Sequence, residues 1–237
     1  MKSISTISKM IDHSLLHPTY TDEFLRSECY HAKELNVASV CIKPYAIGLA
    51  KEILFGSNVK IGTVVGFPHG STNIQNKITE TEWVCKEGAI EIDFVINIGK
   101  VLSKDWGYIS EEIKLINETA VSYNAISKVI FENDYYDTDE YKIRLCEICN
   151  EHQVAFVKTS TGYGFVKQKD GTYAYQGATD HDIKLMREKC LPEIQVKAAG
   201  RIRTLNDVLR VRVLGATRVG ATTTKDIISE AIKCGYQ

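Results

Sequence analysis

The sequence predicts an α/β fold arranged as a single closed (β/α)8 barrel. Three features lead there: eight short β-branched or apolar runs, a helix-period stretch between successive runs, and a length of 237 residues that suits one such unit. Near-continuous apolar strands are what a parallel sheet covered on both faces requires. The TIM barrel meets this requirement, and an open doubly wound sheet is the alternative.

In chain order, strands are expected at 11–16, 38–42, 60–65, 91–97, 127–132, 154–160, 193–199 and 217–221. Start signals precede several of the intervening helices, because the first amide N–H groups of a helix need acceptors from outside it. Thr21, Asp137, Thr179 and Thr204 are the expected N-caps. Asp137 with Glu140, and Thr204 with Asp207, have capping-box spacing and place negative charge at the positive end of the helix dipole. No linker, low-complexity tract or shift in composition divides the chain, so residues 1–237 are expected to form one domain. Only 165–176 breaks the rhythm. Its sequence, FVKQKDGTYAYQ, centres on Asp170-Gly171, a hairpin signal, directly after a strand end. On a barrel that position suits a cover over a substrate, and equally a plain surface hairpin.

Charge and cysteine usage narrow the function classes. Twenty-nine basic against thirty acidic residues give a net charge of -1 with no Lys/Arg block, which argues against nucleic acid as a partner. No run of about 18 apolar residues is present, and residues 1–10 lack the apolar core of a signal peptide, so neither a membrane partner nor export is expected and the location read is cytoplasmic. Seven scattered cysteines, an odd number, do not form a disulfide framework. Cys146 and Cys149 have CxxC spacing with His152 beyond, but on a helix that spacing also describes two small residues on a buried face, and no second pair completes a zinc site. They are read as core.

Active sites of barrels form at the C-terminal ends of the strands. There, VAFVKTSTGYG (154–164) and IQVKAAGRIRT (194–204) each place a lysine inside an apolar run, Lys158 and Lys197, on successive strands. Lysine is rarely buried, so each either points into a polar barrel mouth or lies outside the strand proper; the mouth is the preferred reading. A free lysine has a pKa of about 10.4, leaving about one in 2,500 neutral at pH 7. A second ammonium about 6 Å away, at an effective dielectric of about 20, disfavours the charged form by roughly 2.8 kcal/mol, or about two pKa units. An amine so activated attacks a carbonyl to form a Schiff base. Glu91 and Asp93 share one strand face, where a carboxylate beside two lysines can hold one as ammonium and relay protons, or form a buried salt bridge. Gly162, Gly200 and the run Gly220-Ala221-Thr222-Thr223 follow strands. The last two lie where barrels commonly bind phosphate through backbone N–H groups.

These segments resemble one family along nearly the whole chain: Asp12-His13-Ser14-Leu15-Leu16, Val40-Cys41-Ile42, Val65-Gly66-Phe67-Pro68-His69-Gly70, Glu91-Ile92-Asp93, Lys158-Thr159-Ser160-Thr161-Gly162, Val196-Lys197-Ala198-Ala199-Gly200 and Arg203-Thr204 are similar to deoxyribose-phosphate aldolases. The resemblance implies a class I aldolase on a TIM barrel, free of metal and other cofactors, that cleaves 2-deoxy-D-ribose 5-phosphate reversibly to acetaldehyde and D-glyceraldehyde 3-phosphate. It implies Lys158 as the Schiff-base lysine, Lys197 as the neighbouring ammonium, Asp93 as the proton relay and Asp12 as its support. Gly162, Gly200, Gly220, Thr222 and Thr223 match phosphate-binding positions, the two threonines standing where serines are frequent. Arg201 replaces a second glycine, and either crowds the phosphate or supplies it with a further cation. His17 stands for a lysine, Lys43 for an asparagine, and the 165–176 insertion is longer than usual. Oligomeric state cannot be read from the sequence, although homodimers are common in the resembled family. A C-terminal tyrosine takes part in proton transfer in some members; Tyr236 is the matching residue, with a frayed tail as the default.

The expected partner is therefore an aldehyde or sugar phosphate. In the expected reaction Lys158 attacks C1, scission is placed at C3–C4, and Asp93 with Lys197 and water reprotonates the enamine. A Schiff-base aldolase for a different sugar, or a barrel that binds sugar phosphate without turnover, are the alternatives.

Overall fold

A computed structural model describes residues 2–237; Met1, part of the segment read as lacking a signal peptide, lies outside the described residues. Eight parallel strands close on themselves: β1 (Ile11–Leu15), β2 (Ser39–Ile42), β3 (Lys60–Val65), β4 (Glu91–Val95), β5 (Ile126–Ile130), β6 (Phe156–Lys158), then β9 (Gln195–Ala199) and β10 (Ala216–Ala221), which pairs back with β1. Between β6 and β9 a two-stranded hairpin, β7 (Val166–Lys167) and β8 (Tyr173–Ala174), stands outside the barrel. The barrel is thus the predicted (β/α)8 architecture, and the open sheet is excluded because β1 and β10 are paired through Ile11–Val219, Asp12–Gly220 and His13–Ala221.

Helices cover the strands with apolar residues turned inward, among them Leu25, Val84, Ile113, Leu145, Met186, Val208 and Ile227, all buried in one continuous core. The helix starts at Thr21, Thr179 and Thr204 are as expected, each threonine hydroxyl accepting from the amide three residues on, and Thr204 and Asp207 form the reciprocal capping box. The fourth start differs. Helix Asp139–Glu151 is capped by Thr138 rather than Asp137, without a side-chain cap bond, and the Asp137–Glu140 box does not form. Asp139 and Glu140 instead occupy the first turn, where a carboxylate still meets the positive end of the dipole. No helix among the described residues is long and apolar enough to cross a membrane.

The register explains which side chains face the barrel axis. Residues paired across parallel strands point the same way, and alternate residues along a strand share a face. The pairs Asp12–Gly220, Asp93–Lys128, Lys158–Lys197 and Lys197–Arg218 therefore put one set of residues on one face all the way round. That face carries Asp12, Asp93, Lys128, Lys158, Lys197 and Arg218, with Glu91 two residues below Asp93. The barrel interior is ionic where most such interiors are aliphatic. Phe156 fills the space beside this set, its ring 5.8 Å from Lys128 Nζ and 5.4 Å from the Arg218 guanidinium carbon.

Candidate active site

Lys158 ends β6, Lys197 lies within β9 and Asp93 within β4, and the three meet at one oxygen. Asp93 Oδ2 accepts from Lys158 Nζ at 2.8 Å and from Lys197 Nζ at 2.6 Å. Lys128 Nζ lies 3.0 Å from the other oxygen, Oδ1, but too obliquely to donate a hydrogen bond to it. Asp12 closes the other side of the network: its Oδ2 lies 2.5 Å from Lys197 Nζ and 2.9 Å from Lys128 Nζ, and its Oδ1 accepts from Ser39 Oγ at 2.7 Å and Arg218 at 2.5 Å. Glu91 pairs with Lys128 at 2.7 Å and Arg218 at 3.0 Å. The two lysines read from the sequence are thus neighbours, and Asp93 forms the buried salt bridge with both.

Counting the ring gives its electrostatic logic. Three carboxylates, Asp12, Glu91 and Asp93, face four cations, so one positive charge is in excess; Lys128, Lys197 and Arg218 each meet two or more carboxylates, whereas Lys158 meets only Asp93, which it shares, and is the least compensated of the four. A buried excess charge is expensive, which favours the neutral amine. Burial is the largest influence lowering the Lys158 pKa; Asp93 opposes it and Lys197 adds to it. The cationic neighbour anticipated from the sequence is therefore an auxiliary to desolvation. Burial also disfavours the Lys197 ammonium, but Asp12 and Asp93 overcome it and hold its pKa above the usual lysine value. Lys128 is held well above its usual value in the same way, by Asp12, Asp93 and Glu91 against burial. Burial would raise both aspartates, yet the surrounding cations keep them below the ordinary carboxylate range.

Above this ring opens a cavity of about 280 Å³ lined by Asp12, Lys158, Lys197, Gly162, Gly200, Arg201, Gly220 and Thr222. Leu16, Cys41 and Tyr163 form its apolar side, and burial pushes the Cys41 thiol up to about 11, so it is a neutral wall residue at pH 7. Thr223 stands apart: it does not line the cavity, and its hydroxyl donates to Arg203 O at 2.8 Å. Tyr236 does not line it either. The C-terminus is tied down rather than frayed, with Ile4 N donating to Gln237 O at 2.7 Å and Gln237 N to Lys2 O at 2.9 Å, and Tyr236 is buried. His17 lines the mouth, whereas Lys43 points its ammonium at Tyr20 O, 2.7 Å away. Arg201 adopts φ 61°, the left-handed region that favours glycine. That accounts for a glycine being the usual occupant in the family the sequence resembles.

Three charged groups at the site escaped the sequence reading: Lys128, its ring neighbour Arg218, and Glu132. Lys128 lies in an apolar strand just as Lys158 and Lys197 do, so the same signal marked it, but it sits deeper in the barrel and away from a glycine loop. Glu132, buried and at φ 59°, accepts from Thr161 N at 3.0 Å and from the Thr161 hydroxyl. Thr161 Oγ1 in turn accepts from Tyr163 N at 2.9 Å, so Glu132 shapes the loop that follows Lys158. Among the described residues one trio has metal-ligand spacing, Asp139, His181 and Asp182, but Lys142 Nζ already sits 2.6 Å from Asp182 and 3.3 Å from Asp139. None of the trio lines the cavity. Cys146 and Cys149 are free and buried, and His152 bonds Ser110 Oγ at 2.8 Å.

Comparison with known proteins shows aldolases as the relatives of this chain. Residues 6–229 match the model of the DeoC/LacD family aldolases. A deoxyribose-phosphate aldolase of Rhodopirellula baltica is 47% identical over 227 residues, covering 96% of this chain and 90% of the relative. One of Caldanaerobacter subterraneus is 41% identical over 235 residues, covering 99% and 97%. The structure of a tetrameric deoxyribose phosphate aldolase from Aeropyrum pernix superposes with a TM-score of 0.84 at 26% identity, covering 98% of this chain and 93% of that one.

Proposed function

The chain belongs to the DeoC/LacD family aldolases, a class I lyase that cleaves 2-deoxy-D-ribose 5-phosphate reversibly to acetaldehyde and D-glyceraldehyde 3-phosphate, and we propose that Lys158 is its Schiff-base residue. The observation that carries this assignment is a nearly buried amine on the cavity surface, 2.8 Å from Asp93, in a ring whose other charges already cancel. Neutral Lys158 adds to the C1 aldehyde, and loss of water from the carbinolamine leaves an iminium. The iminium can accept an electron pair only from the carbon next to it, so the bond that breaks is C2–C3. This corrects the C3–C4 scission expected from the sequence, and the carbon count agrees, since acetaldehyde carries C1 and C2. As the C3 hydroxyl loses its proton, C3 to C5 depart as D-glyceraldehyde 3-phosphate and the C2 pair becomes an enamine. Protonation at C2 and hydrolysis release acetaldehyde.

Asp93, Lys197 and a water form the proton relay in this reading, supported by the shared Oδ2 contact and by Asp12 on the far side of Lys197. Gly162, Gly200, Gly220 and Thr222 supply the phosphate end, supported by their common place on the cavity wall, with Arg201 as a further cation. Thr223 contributes through the backbone at the start of helix Thr224–Lys233. Residues 1–237 act as one catalytic domain. A homodimer is the assembly proposed, as the family resemblance implies; the relative at 26% identity is a tetramer, and sedimentation that returns monomer or tetramer removes the proposal. A cytoplasmic location is supported by seven free cysteines, six of them buried.

Borohydride with acetaldehyde tests chemistry and site together. The expected result is an intact-mass increase of one reduced ethyl group, mapped to Lys158 by peptide analysis. A trapped adduct on another lysine, or full turnover in Lys158→Ala, overturns the assignment.

A further inference from the structure

The hairpin of β7 and β8 is fastened to the barrel at its returning arm. Asp134 accepts from Gln176 N and, at 3.0 Å, from Gly177 N, while Ala178 N donates to Gly200 O at 3.2 Å. Gly177 lies so close to the end of β9 that a Cβ there would fall 2.7 Å from Gly200 O. This arm therefore cannot drift from the phosphate end of the cavity. It delivers Tyr175, whose ring approaches Gly200 and lines the same cavity as Lys158. Phe165 from the outgoing arm braces that ring edge to face, with centroids 5.0 Å apart.

Against the ring lies Arg201, its guanidinium carbon 5.2 Å from the Tyr175 centroid. The guanidinium makes no hydrogen bond or ion pair with any described residue, although Arg201 lines the cavity. A planar cation stacked on an aromatic face keeps its in-plane N–H donors free, and these match phosphate oxygens two at a time. An unstacked arginine would lose rotamer freedom on binding, and stacking removes part of that loss beforehand.

We propose that the 165–176 hairpin is a specificity element, in which Tyr175 holds Arg201 over the Gly200 end of the cavity so that the enzyme discriminates for the phosphorylated sugar. This rests on the aldolase reading above. Tyr175 and Arg201 act on binding of the remote phosphate, so they set the preference between 2-deoxyribose 5-phosphate and unphosphorylated 2-deoxyribose.

The test is the ratio of kcat/KM for those two sugars. Tyr175→Ala and Arg201→Gly are each expected to lower the ratio about tenfold, mainly through KM for the phosphorylated sugar. Glycine accepts the left-handed backbone at 201, so the second variant keeps the fold should the first not. The double variant is expected to lose no more than either single one, because the two side chains act as a unit. Tyr175→Phe retains the ratio, as does Tyr173→Ala at an exposed hairpin position. An unchanged ratio in Tyr175→Ala and Arg201→Gly, equal losses on both sugars, or additive losses in the double variant would overturn the proposal. Wild-type protein that leaves both sugars intact and yields no borohydride adduct instead overturns the aldolase reading itself.

Discussion

At the scale of single residues, the chemistry depends on a charge count. Three carboxylates around the barrel axis face four cations, and the least compensated of these, Lys158, faces a cavity in which its neutral form is favoured by burial. In the mechanism proposed for Lys158 the nucleophile is the neutral amine, so kcat/KM should rise as pH rises through the lowered Lys158 pKa and level off below the ordinary lysine range. Lys128→Met tests the balance from a distance. It leaves three carboxylates facing Lys197 and Arg218, which favours protonation of Lys158, so the acid limb of the pH–rate profile is expected to move to higher pH; a limb that stays in place refutes the count. Lys158→Ala should cost at least ~10³ in kcat. In Asp93→Asn, a loss of about 10²–10⁴ is expected from removal of the relay.

At the scale of elements, strand ends give way to side-chain bonds where the cavity begins. The run expected at 154–160 forms regular strand only over Phe156–Lys158; Thr159 still bonds through its backbone, its N donating to Lys197 O at 3.2 Å and its O accepting from Asn133 N at 3.0 Å, but the next bonds toward β9 are made by Thr159 Oγ1, which donates to Ala199 O and accepts from Ala199 N, both at 3.0 Å. Apolar character marked the run, but not the point at which a hydroxyl would replace a peptide bond partner. Helix Ile74–Glu87 carries a second such case. Lys77, fully buried, donates to Gly70 O, Val95 O and Glu112, and so joins the loop after β3 to the end of β4. Lys77→Met leaves the Glu112 carboxylate without its cation and is expected to destabilise by about 3–5 kcal/mol in urea unfolding, with much of the loss recovered in Lys77→Met/Glu112→Leu. Thr204→Ala removes the capping box and should cost about 1 kcal/mol, measured in the same way.

At the scale of the molecule, closure of the sheet carries one facing pattern through all eight strands, and this is what gathers charges from residues as distant as Asp12 and Arg218. Stability should reflect that gathering at both ends of the pH scale. Asp12 and Asp93 are depressed below 3.8, so their contribution is complete above that value and is lost as pH falls through it toward their folded pKa values. Lys128 is raised above 10.5, so its contribution is complete below that value and is lost as pH climbs toward its folded pKa. Denaturation midpoints measured across pH should therefore fall below about pH 4 and again above about pH 10, and a midpoint that is flat across both ends contradicts the coupled ring.

The sequence by itself determined the barrel, because apolar runs of strand length alternating with capped amphipathic segments leave few other ways to bury both faces. It also determined that Lys158 and Lys197 are anomalous, since buried lysine needs a partner. Which partner each has was decided only by tertiary structure: register and closure, invisible in any local pattern, brought Lys128, Asp12, Glu91 and Arg218 into one ring and left Lys158 the least compensated member. The same holds for the hairpin, whose turn is written in Asp170-Gly171 but whose place at the cavity was set by contacts between Gly177, Asp134 and Gly200. Local chemistry specifies what each segment tends to form, while the sum of distant charges and contacts fixes what it faces.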